Sequence, residues 1–387
     1  MSDHQARVRR WAFKADERTV LCCSSTRHRR FIDDLVKVMS LPSGSRVKLR
    51  YGIEVCDPAV REMGEQDSAS PMRALIAHVG FKGTSTDYLP LRMGTVVELR
   101  TIGSVTFLEI ELGDFVEVPS SASCGDLLAQ VARLRLPGCD EGEDKPKGFF
   151  CQILPSPISL SSSSDTGLWE NVGKNFLTAI SGTHAAFPFI FHANIVEKRS
   201  GKEISLRDGM LVAPAISQIE IHIRTLSTQS SFDSIIQAPV GTLTLNVDHP
   251  DARLTNGAQH AIDTTRNLLI SRLATNISLR PAYGSLTLTA RRGPKVTIPT
   301  ASTGEATDEA QPRPEPVDEV TVEIPVAVGR PWSRILAIVF ISAALAMHAF
   351  DIGELEKHAD FVWWKTVAVF GAACIALFMG LKPQSGD

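Results

Sequence analysis

Two hydrophobic periods alternate along the first 300 residues of the chain. The apolar run from Thr19 to Ser24 predicts a short buried strand, and the segment from Arg27 to Leu41 has apolar residues at helical spacing. From Ser45 to Cys56 the spacing changes to two, with apolar and basic side chains alternating. A period of two is typical of a strand that is buried on one face only. These segments predict a β-α-β start to the fold.

The same two periods predict the elements that follow. Helices are predicted over Asp126 to Leu136, Leu168 to Ile180 and Ala258 to Leu273. Strands are predicted over the segments Thr95 to Arg100, Val105 to Leu112, Phe187 to Lys198, Glu203 to Leu206, Ile216 to Leu226, Thr242 to Val247, Ser285 to Ala290 and Lys295 to Ile298. Strands with one polar face favour antiparallel sheets, so the predicted fold class is α+β.

Composition divides this soluble part into two predicted domains. Residues 159–167 read SLSSSSDTG, a linker-like segment between an N-terminal α+β domain (1–158) and a second, β-rich α+β domain (168–298). Residues 299–330 hold many Pro and acidic residues and few aromatic ones. That composition predicts a disordered, acidic, Pro-rich linker. A coil of about 25 residues has a typical span of roughly 30 Å, so the soluble part need not rest on a bilayer.

Two apolar runs near the C-terminal end predict a transmembrane helical hairpin over residues 332–382. The runs are Ile335 to Phe350 and Thr366 to Leu381, and neither contains an Asp, Glu, Lys or Arg. Sixteen residues form a helix of about 24 Å, slightly short of a hydrocarbon layer of about 30 Å. Trp332 precedes the first run and Trp363 and Trp364 precede the second, at positions that suit the headgroup level. The alternative is a hairpin buried in a soluble core.

The loops around these runs predict an orientation. Arg330, Arg334 and Lys382 flank the hairpin on the outside, whereas the connection 351–360 has four acidic residues and one Lys. Positive charge favours the cytoplasmic side. We therefore expect a multi-pass protein of the inner membrane with both termini in the cytoplasm.

Small residues form a stripe on the second predicted membrane helix. Ala372, Ala376 and Gly380 are four residues apart, which lets helix backbones approach closely in lipid. The stripe predicts packing either within the hairpin or against another subunit.

Basic residues are concentrated at the start of the chain, where residues 1–51 hold twelve Lys or Arg and five Asp or Glu. Within that segment the predicted ligand-binding residues are six cations on the first helix and on the strand after it: Arg27, Arg29, Arg30, Arg46, Lys48 and Arg50. If the helix and strand pack side by side, these cations converge on a phosphate-rich or nucleotide-type ligand. The alternative is a solvated face. Few aromatic residues lie between the cations, so direct nucleic-acid binding is not indicated.

Motifs for catalysis, metals and cofactors are missing from the sequence. It has no P-loop, no dinucleotide-binding fingerprint and no zinc-protease or nucleophile-elbow motif, so we predict no catalytic residues, no metal and no cofactor. The segment Asp248-His249-Pro250-Asp251 is interpreted as a turn, because Asp and Pro favour turns. Seven cysteines without CxxC spacing predict reduced thiols.

The domain order resembles that of bacterial antiphage-defence membrane effectors, in which a soluble sensing module precedes two transmembrane helices. The resemblance covers the predicted hairpin, Ile335 to Phe350 and Thr366 to Leu381, and its place after the soluble part. It implies a membrane sensor-effector that is not an enzyme. Its expected partners are the lipid bilayer, further copies of itself, and a protein or nucleotide-type ligand. The alternatives are a membrane-anchored scaffold whose hairpin only localises it, and a tail-anchored enzyme.

Overall fold

The computed structural model describes the part of the chain that precedes the predicted hairpin, with gaps. The described residues are 18–25, 29–65, 72–82, 85–117, 148–154, 162–163, 166–180, 187–227, 240–262, 267–276, 282–293 and 319–329. Their fold is α+β and rich in antiparallel sheet, as the sequence predicts.

A seven-stranded sheet forms the first part of the fold. Its strands are β1 (Thr19–Ser25), β2 (Arg46–Gly52), β3 (Met72–Lys82), β4 (Ser85–Ile102), β5 (Val105–Val116), β6 (Cys151–Ile153) and β7 (Ser162–Ser163). The order across the sheet is β2-β5-β4-β3-β1-β6, with β7 on β5, and the β1–β3 pair is parallel. The strands predicted over Thr95 to Arg100 and Val105 to Leu112 are confirmed, since they lie in β4 and β5, which pair antiparallel as a hairpin.

Within the described ranges, three α-helices accompany this sheet: α1 (Arg29–Ser40), α2 (Pro58–Glu65) and α3 (Thr166–Ile180), with a 3₁₀ turn at Ile53–Val55. The apolar face of α1 packs on the buried side of the sheet, where Ile32 and Val36 share a core with Val47 and Leu49 of β2. Helix α3 places Trp169 and Phe176 against Leu35 and Met39 of α1. In both helices the apolar residues at helical spacing form the face that is buried.

Two further sheets share their buried sides in the manner of a β-sandwich. The elements are β8 (Phe189–Glu197), β9 (Leu211–Ala213), β10 (Gln218–Ser227), β11 (Gly241–Asp248), β12 (Ala252–Asn256), β13 (Gln259–Ile262), β14 (Leu268–Thr275), β15 (Tyr283–Arg292) and β16 (Glu319–Val328). The four-stranded sheet has the order β12-β14-β10-β8, and the five-stranded sheet has the order β13-β11-β15-β16-β9.

One hydrophobic core connects the two predicted domains. It contains Leu21 and Leu75 of the first sheet together with Ile221 of the four-stranded sheet and Leu288 and Ile324 of the five-stranded sheet. The predicted boundary at 159–167 therefore does not separate two cores. Within that segment, Ser162–Ser163 is itself a strand that pairs with β5.

The helix predicted over Ala258 to Leu273 is wrong. This segment forms most of two strands, β13 and β14. Along β14, Leu269, Ser271 and Leu273 are buried, whereas Leu268 and Ile270 are exposed. Because leucine and isoleucine occur on both faces of β14, its sequence does not show the period of two that is typical of a strand. Some of its apolar residues instead have the spacing expected for one face of a helix.

The disordered linker predicted over 299–330 is also wrong for its last third. Residues Glu319–Val328 form β16, which pairs antiparallel with β15 along its length and parallel with β9 at its end. Every second side chain, from Val320 to Val328, is buried. Acidic and Thr residues between them face outward. They contribute to the low mean hydropathy of residues 299–330, although buried and outward-facing positions alternate along the whole strand. Strand β15 lies between β11 and β16, so both of its edges are paired within the sheet.

Several predictions lie outside the described residues: the helix over 126–136, residues 295–298, the helical hairpin over 332–382 and the stripe of Ala372, Ala376 and Gly380. Among the helices that the structure describes, none combines the length and apolar character needed to cross a bilayer.

Candidate functional site

The basic side chains of β2 are paired with acidic side chains. Arg46 lies 3.6 Å from Glu109, 3.8 Å from Glu111 and 3.2 Å from Asp208, measured between guanidinium nitrogens and carboxylate oxygens. Lys48 Nζ lies 3.3 Å from Glu109 Oε2. Arg50 is exposed on the same face of the strand. Glu109 therefore bridges two of the predicted ligand-binding cations, and a phosphate there would have to displace it.

The three predicted cations of β2 lie on the face of the sheet opposite helix α1. Helix α1 packs on the side where Val47, Leu49 and Tyr51 are buried, whereas Arg46, Lys48 and Arg50 alternate onto the other side. The side chains of Arg29 and Arg30, and all of Arg27, lie outside the described residues. The convergence of all six cations on one ligand therefore stays a prediction, and the three cations of β2 lie on the face of the sheet that α1 does not cover.

A shallow depression lies beside the charged face of β2. Its volume is about 190 Å³, and its walls include Lys48, Glu98, Arg100, Phe107 and Glu109. Ligand pockets are commonly larger, at about 300–1,000 Å³. A small open depression lined by both signs of charge is better suited to a flat contact with a macromolecule than to enclosing a small molecule.

The Asp248-His249-Pro250-Asp251 segment is a turn between β11 and β12, as its composition predicts. His249 Nδ1 accepts the backbone N–H of Asp251 at 3.0 Å. Its Nε2 lies 3.1 Å from the carbonyl oxygen of Ala282, to which it donates in this tautomer. Both ring nitrogens are thus engaged in holding the turn.

The described cysteines are buried thiols. Cys22, Cys23, Cys56 and Cys151 are free and buried, on or beside β1 and β6. Burial raises the pKa of the Cys23 and Cys151 thiols well above the usual value, which makes them poor nucleophiles. The hydrogen bond with Cys151 lowers the pKa of Cys56. These four cysteines serve the core of the first sheet.

A polar cluster that the sequence analysis missed joins the first sheet to the rest of the fold. Its centre is Arg92 of β4, whose side chain is 0% exposed. The guanidinium lies 4.4 Å from the ring centre of Phe115, which meets His192 of β8 edge-on. His192 in turn stacks on Trp169 of α3. A lone Arg in an apolar strand pattern is the only sequence signal for this cluster.

The last described strand, β16, ends beside a row of apolar side chains on the outer face of the sheet. Near the end of β16, Ala327 pairs with Tyr283 of β15 on one side and with Val212 of β9 on the other. Directly paired residues project to the same face. Tyr283 is 70% exposed and Val212 is 38% exposed. We call Val212, Ala327 and Tyr283 the exit row, because the chain leaves the sheet one residue later.

A strained isoleucine lies at the same end of the sandwich. Ile216, in the turn between β9 and β10, has a φ of 53°, which is unfavourable for a β-branched residue. Its side chain is nevertheless 52% exposed. The turn is held by Thr275 Oγ1, which donates to the carbonyl of Pro214 at 2.6 Å and accepts the N–H of Ser217 at 3.0 Å. The strain therefore directs an apolar side chain into solvent.

Polarity rises with distance from the exit row along the five-stranded sheet. The outward pairs of β15 and β16 that follow it are Ser285 with Pro325, Thr287 with Glu323, Thr289 with Thr321, and Arg291 with Glu319. The last pair is an ion pair of 2.9 Å. One outer face is thus apolar where the chain leaves it and hydrophilic farther away.

Comparisons with known proteins add no relative. No protein-family model, no curated protein and no solved structure matches the chain. Among the described side chains, no group of three or more His, Cys, Asp or Glu is placed to hold a metal ion.

Proposed function

We propose that the chain is a non-enzymatic, membrane-anchored sensor-effector. In this proposal the folded part binds a protein partner or self-associates, and the predicted hairpin then clusters and disturbs the inner membrane. The resemblance of the domain order to antiphage-defence effectors makes such defence the proposed setting. Both termini face the cytoplasm in the proposed orientation.

One observation carries the proposal: β16 connects the folded part almost directly to the first predicted membrane helix. Val328 is hydrogen-bonded into the sheet, and Ile335 begins the apolar run, so six residues separate them. Six residues reach about 20 Å when fully extended. In this proposal the short connection passes a displacement of the five-stranded sheet to the hairpin more directly than a long coil would.

The partner surface that we propose is the charged outer face of the seven-stranded sheet. Its cations alternate with Glu98, Glu109 and Glu111, and the depression beside Lys48 is shallow. Mixed charge favours specific recognition of a complementary protein surface over attraction of polyphosphates in general. A protein partner or a second copy therefore fits this face better than a nucleotide-type ligand.

Membrane potential in cells tests the proposal. Three chains are compared, each with and without the genomic neighbours: the full chain, a chain that ends after Arg330, and a chain with about 20 Gly and Ser residues inserted after Gly329. We expect the full chain alone to depolarise the membrane when it is activated. We expect the variant with the added Gly and Ser residues to place its hairpin in the membrane but to depolarise it less. A flexible linker of this length would no longer couple movement of the sheet to the hairpin.

The alternative is a scaffold whose hairpin only localises the folded part. Replacing residues 332–382 by an unrelated two-helix anchor separates the two functions. Full activity with the foreign anchor, together with an unchanged potential in every combination, would establish the scaffold and reject the sensor-effector.

A further inference from the structure

We infer that the exit row and Ile216 form a second membrane contact, embedded in the headgroup layer of the bilayer that holds the predicted hairpin. The inference rests on the proposed membrane anchoring and adds a site to it. Its occupant is lipid, and its residues lie in the folded part of the chain.

The position of the exit row limits how far from the bilayer it can lie. Ala327 is eight residues before Ile335, and the residues up to Val328 are fixed in the sheet. The intervening six residues span about 20 Å at most. A headgroup layer adds roughly 5–8 Å on each side of the hydrocarbon core. The end of the sandwich where β16 terminates is therefore within reach of lipid, whereas the opposite end of each strand points away.

The side chains at this end have the chemistry of an interface. Tyr283 combines an apolar ring with a hydroxyl group that remains in water, which is the property that places Tyr at the headgroup level. Val212 and Ile216 add aliphatic surface on β9 and the turn after it. Exposed aliphatic side chains clustered with Tyr mark interaction surfaces more often than isolated ones do.

The gradient along β15 and β16 supports lipid over a protein as the occupant. The outer face is apolar at Tyr283 and Ala327 and becomes polar at Thr287 and Glu323. The distance from Tyr283 to Thr287 along the strand is about 14 Å. A bilayer interface changes from apolar to aqueous over a similar depth, whereas a protein partner covering the sheet would need complementarity along its whole length.

Charges at this end have both signs. Arg199 and Lys202 lie in the turn after β8, and Glu203, Asp248 and Asp251 lie close by in sequence or on neighbouring strand ends. Because the charges have both signs, we expect the burial of apolar side chains, and not electrostatic attraction, to drive the contact with lipid. We expect it to form on neutral lipid and to persist in high salt, unlike a polybasic attachment.

Fluorescence of the full chain in phosphatidylcholine vesicles tests the inference. A polarity-sensitive dye is attached at Tyr283→Cys or, as the matched control on the same face of the same strand, at Thr287→Cys. Both are made with Cys124, Cys139 and Cys374 replaced by Ser. We expect a blue shift and quenching by headgroup-labelled lipid at position 283, and neither effect at position 287. Ile216→Cys is expected to behave like position 283.

Flotation of the same vesicles separates the inference from the proposed function. If the chain floats with the vesicles and the dye at position 283 stays in water, the inference is overturned while membrane anchoring stands. A second copy of the chain could also shield the dye at position 283. In that case the blue shift would be the same in detergent, would increase with protein concentration, and would not be accompanied by quenching from labelled lipid. That result would also overturn the inference. If the chain does not float, the anchoring fails and the inference fails with it. Dye leakage from the vesicles measures membrane disturbance independently.

Discussion

Arg92 Nη1 donates a hydrogen bond to the carbonyl oxygen of Leu41 at 2.6 Å, just beyond the last residue of α1. The same nitrogen reaches the carbonyl of Val38 at 2.8 Å, and Nε donates to the carbonyl of Gly113 at 2.7 Å. The last carbonyls of a helix have no partner within it. A strand of the first sheet therefore supplies the C-terminal cap of α1, and the cap ties the helix to β4 and β5.

Replacing Arg92 by Met is expected to lower the free energy of unfolding by about 2–4 kcal/mol, because it leaves several buried carbonyl oxygens without donors. Denaturant unfolding of the full chain in detergent measures the change. The matched control is Arg100→Met. Arg100 lies on the same strand but is exposed and paired with Glu98, so the loss there is expected to be below about 1 kcal/mol. Equal losses in the two variants would contradict the capping role.

His192 is expected to make the free energy of unfolding depend on pH. Burial, followed by the positive charge of Arg92, lowers the pKa of His192 to about 3, from an ordinary value of 6.5. Between these two values the unfolded chain binds a proton that the folded chain does not. Stability is therefore fully present above pH 6.5 and falls as the pH decreases toward 3, by up to about 1.4 kcal/mol per pH unit.

A His192→Gln variant tests this dependence, since glutamine cannot titrate in the range. The difference in unfolding free energy between the unaltered chain and the variant is measured from pH 7.5 to pH 4.5. We expect the variant to have lower stability at pH 7.5, from lost stacking on Trp169, and a shallower slope below pH 6.5. Parallel profiles would show that His192 carries no such linkage. His260, whose pKa is lowered mainly by partial burial, serves as the comparison, with a smaller expected change in slope.

In the first sheet, the most reliable sequence signal for a strand is the alternation of apolar and polar residues. Val47, Leu49 and Tyr51 face the core with basic residues between them, so β2 was predicted from its period of two and is observed. The apolar face of the segment Arg27 to Leu41 likewise predicts α1, and the helix predicted over Leu168 to Ile180 is observed as α3. In each case the side chains on the two faces differ strongly in polarity, and burial on one face alone determines the pattern.

The failures have identifiable physical causes. Strand β14 has Leu268 and Ile270 on its exposed face, so its two faces look alike in sequence. Strand β16 was assigned to disorder because Pro, Glu and Thr outnumber apolar residues around it, although its inward positions are all aliphatic. The candidate surfaces depend on pairings between distant strands. Tyr283 meets Ala327, and Lys48 meets Glu109, through register that single-sequence periodicity does not contain.

Strand β16 is expected to be essential for folding. A chain that ends at Thr300 lacks the strand between β15 and β9, so it exposes the buried face of the sheet and an unpaired edge. We expect this chain to aggregate, and a chain that ends at Arg330 to unfold in one cooperative transition by circular dichroism. Point variants give a finer measure. Ile324→Ala is expected to cost about 2–4 kcal/mol, and Glu323→Ala less than about 0.5 kcal/mol. A soluble, cooperatively folded chain ending at Thr300 would rule out this role.

Glu109 is expected to suppress anion binding on the face of β2. Its carboxylate lies within ion-pair distance of both Arg46 and Lys48, so the unaltered chain should bind pyrophosphate with a Kd weaker than about 1 mM. Glu109→Gln removes the competing charge and should tighten binding several-fold at low salt. Isothermal titration calorimetry measures both, with Glu62→Gln on the exposed side of α2 as the control. Tight binding by the unaltered chain would instead favour the nucleotide-type ligand.

The backbone conformation of Ile216 is expected to lower the free energy of unfolding, while its exposed side chain contributes to the proposed contact with lipid. Its left-handed backbone costs on the order of 1–3 kcal/mol in a β-branched residue, whereas Asn adopts this conformation readily. Ile216→Asn should therefore raise the unfolding free energy by about 1 kcal/mol and, in vesicles, weaken the lipid contact of the dye at position 283. Val212→Asn is the matched control, because Val212 is exposed on an ordinary strand. It should weaken the lipid contact without raising stability. If Ile216→Asn destabilises the chain as much as Val212→Asn does, the isoleucine is not strained in the way that its backbone angle indicates.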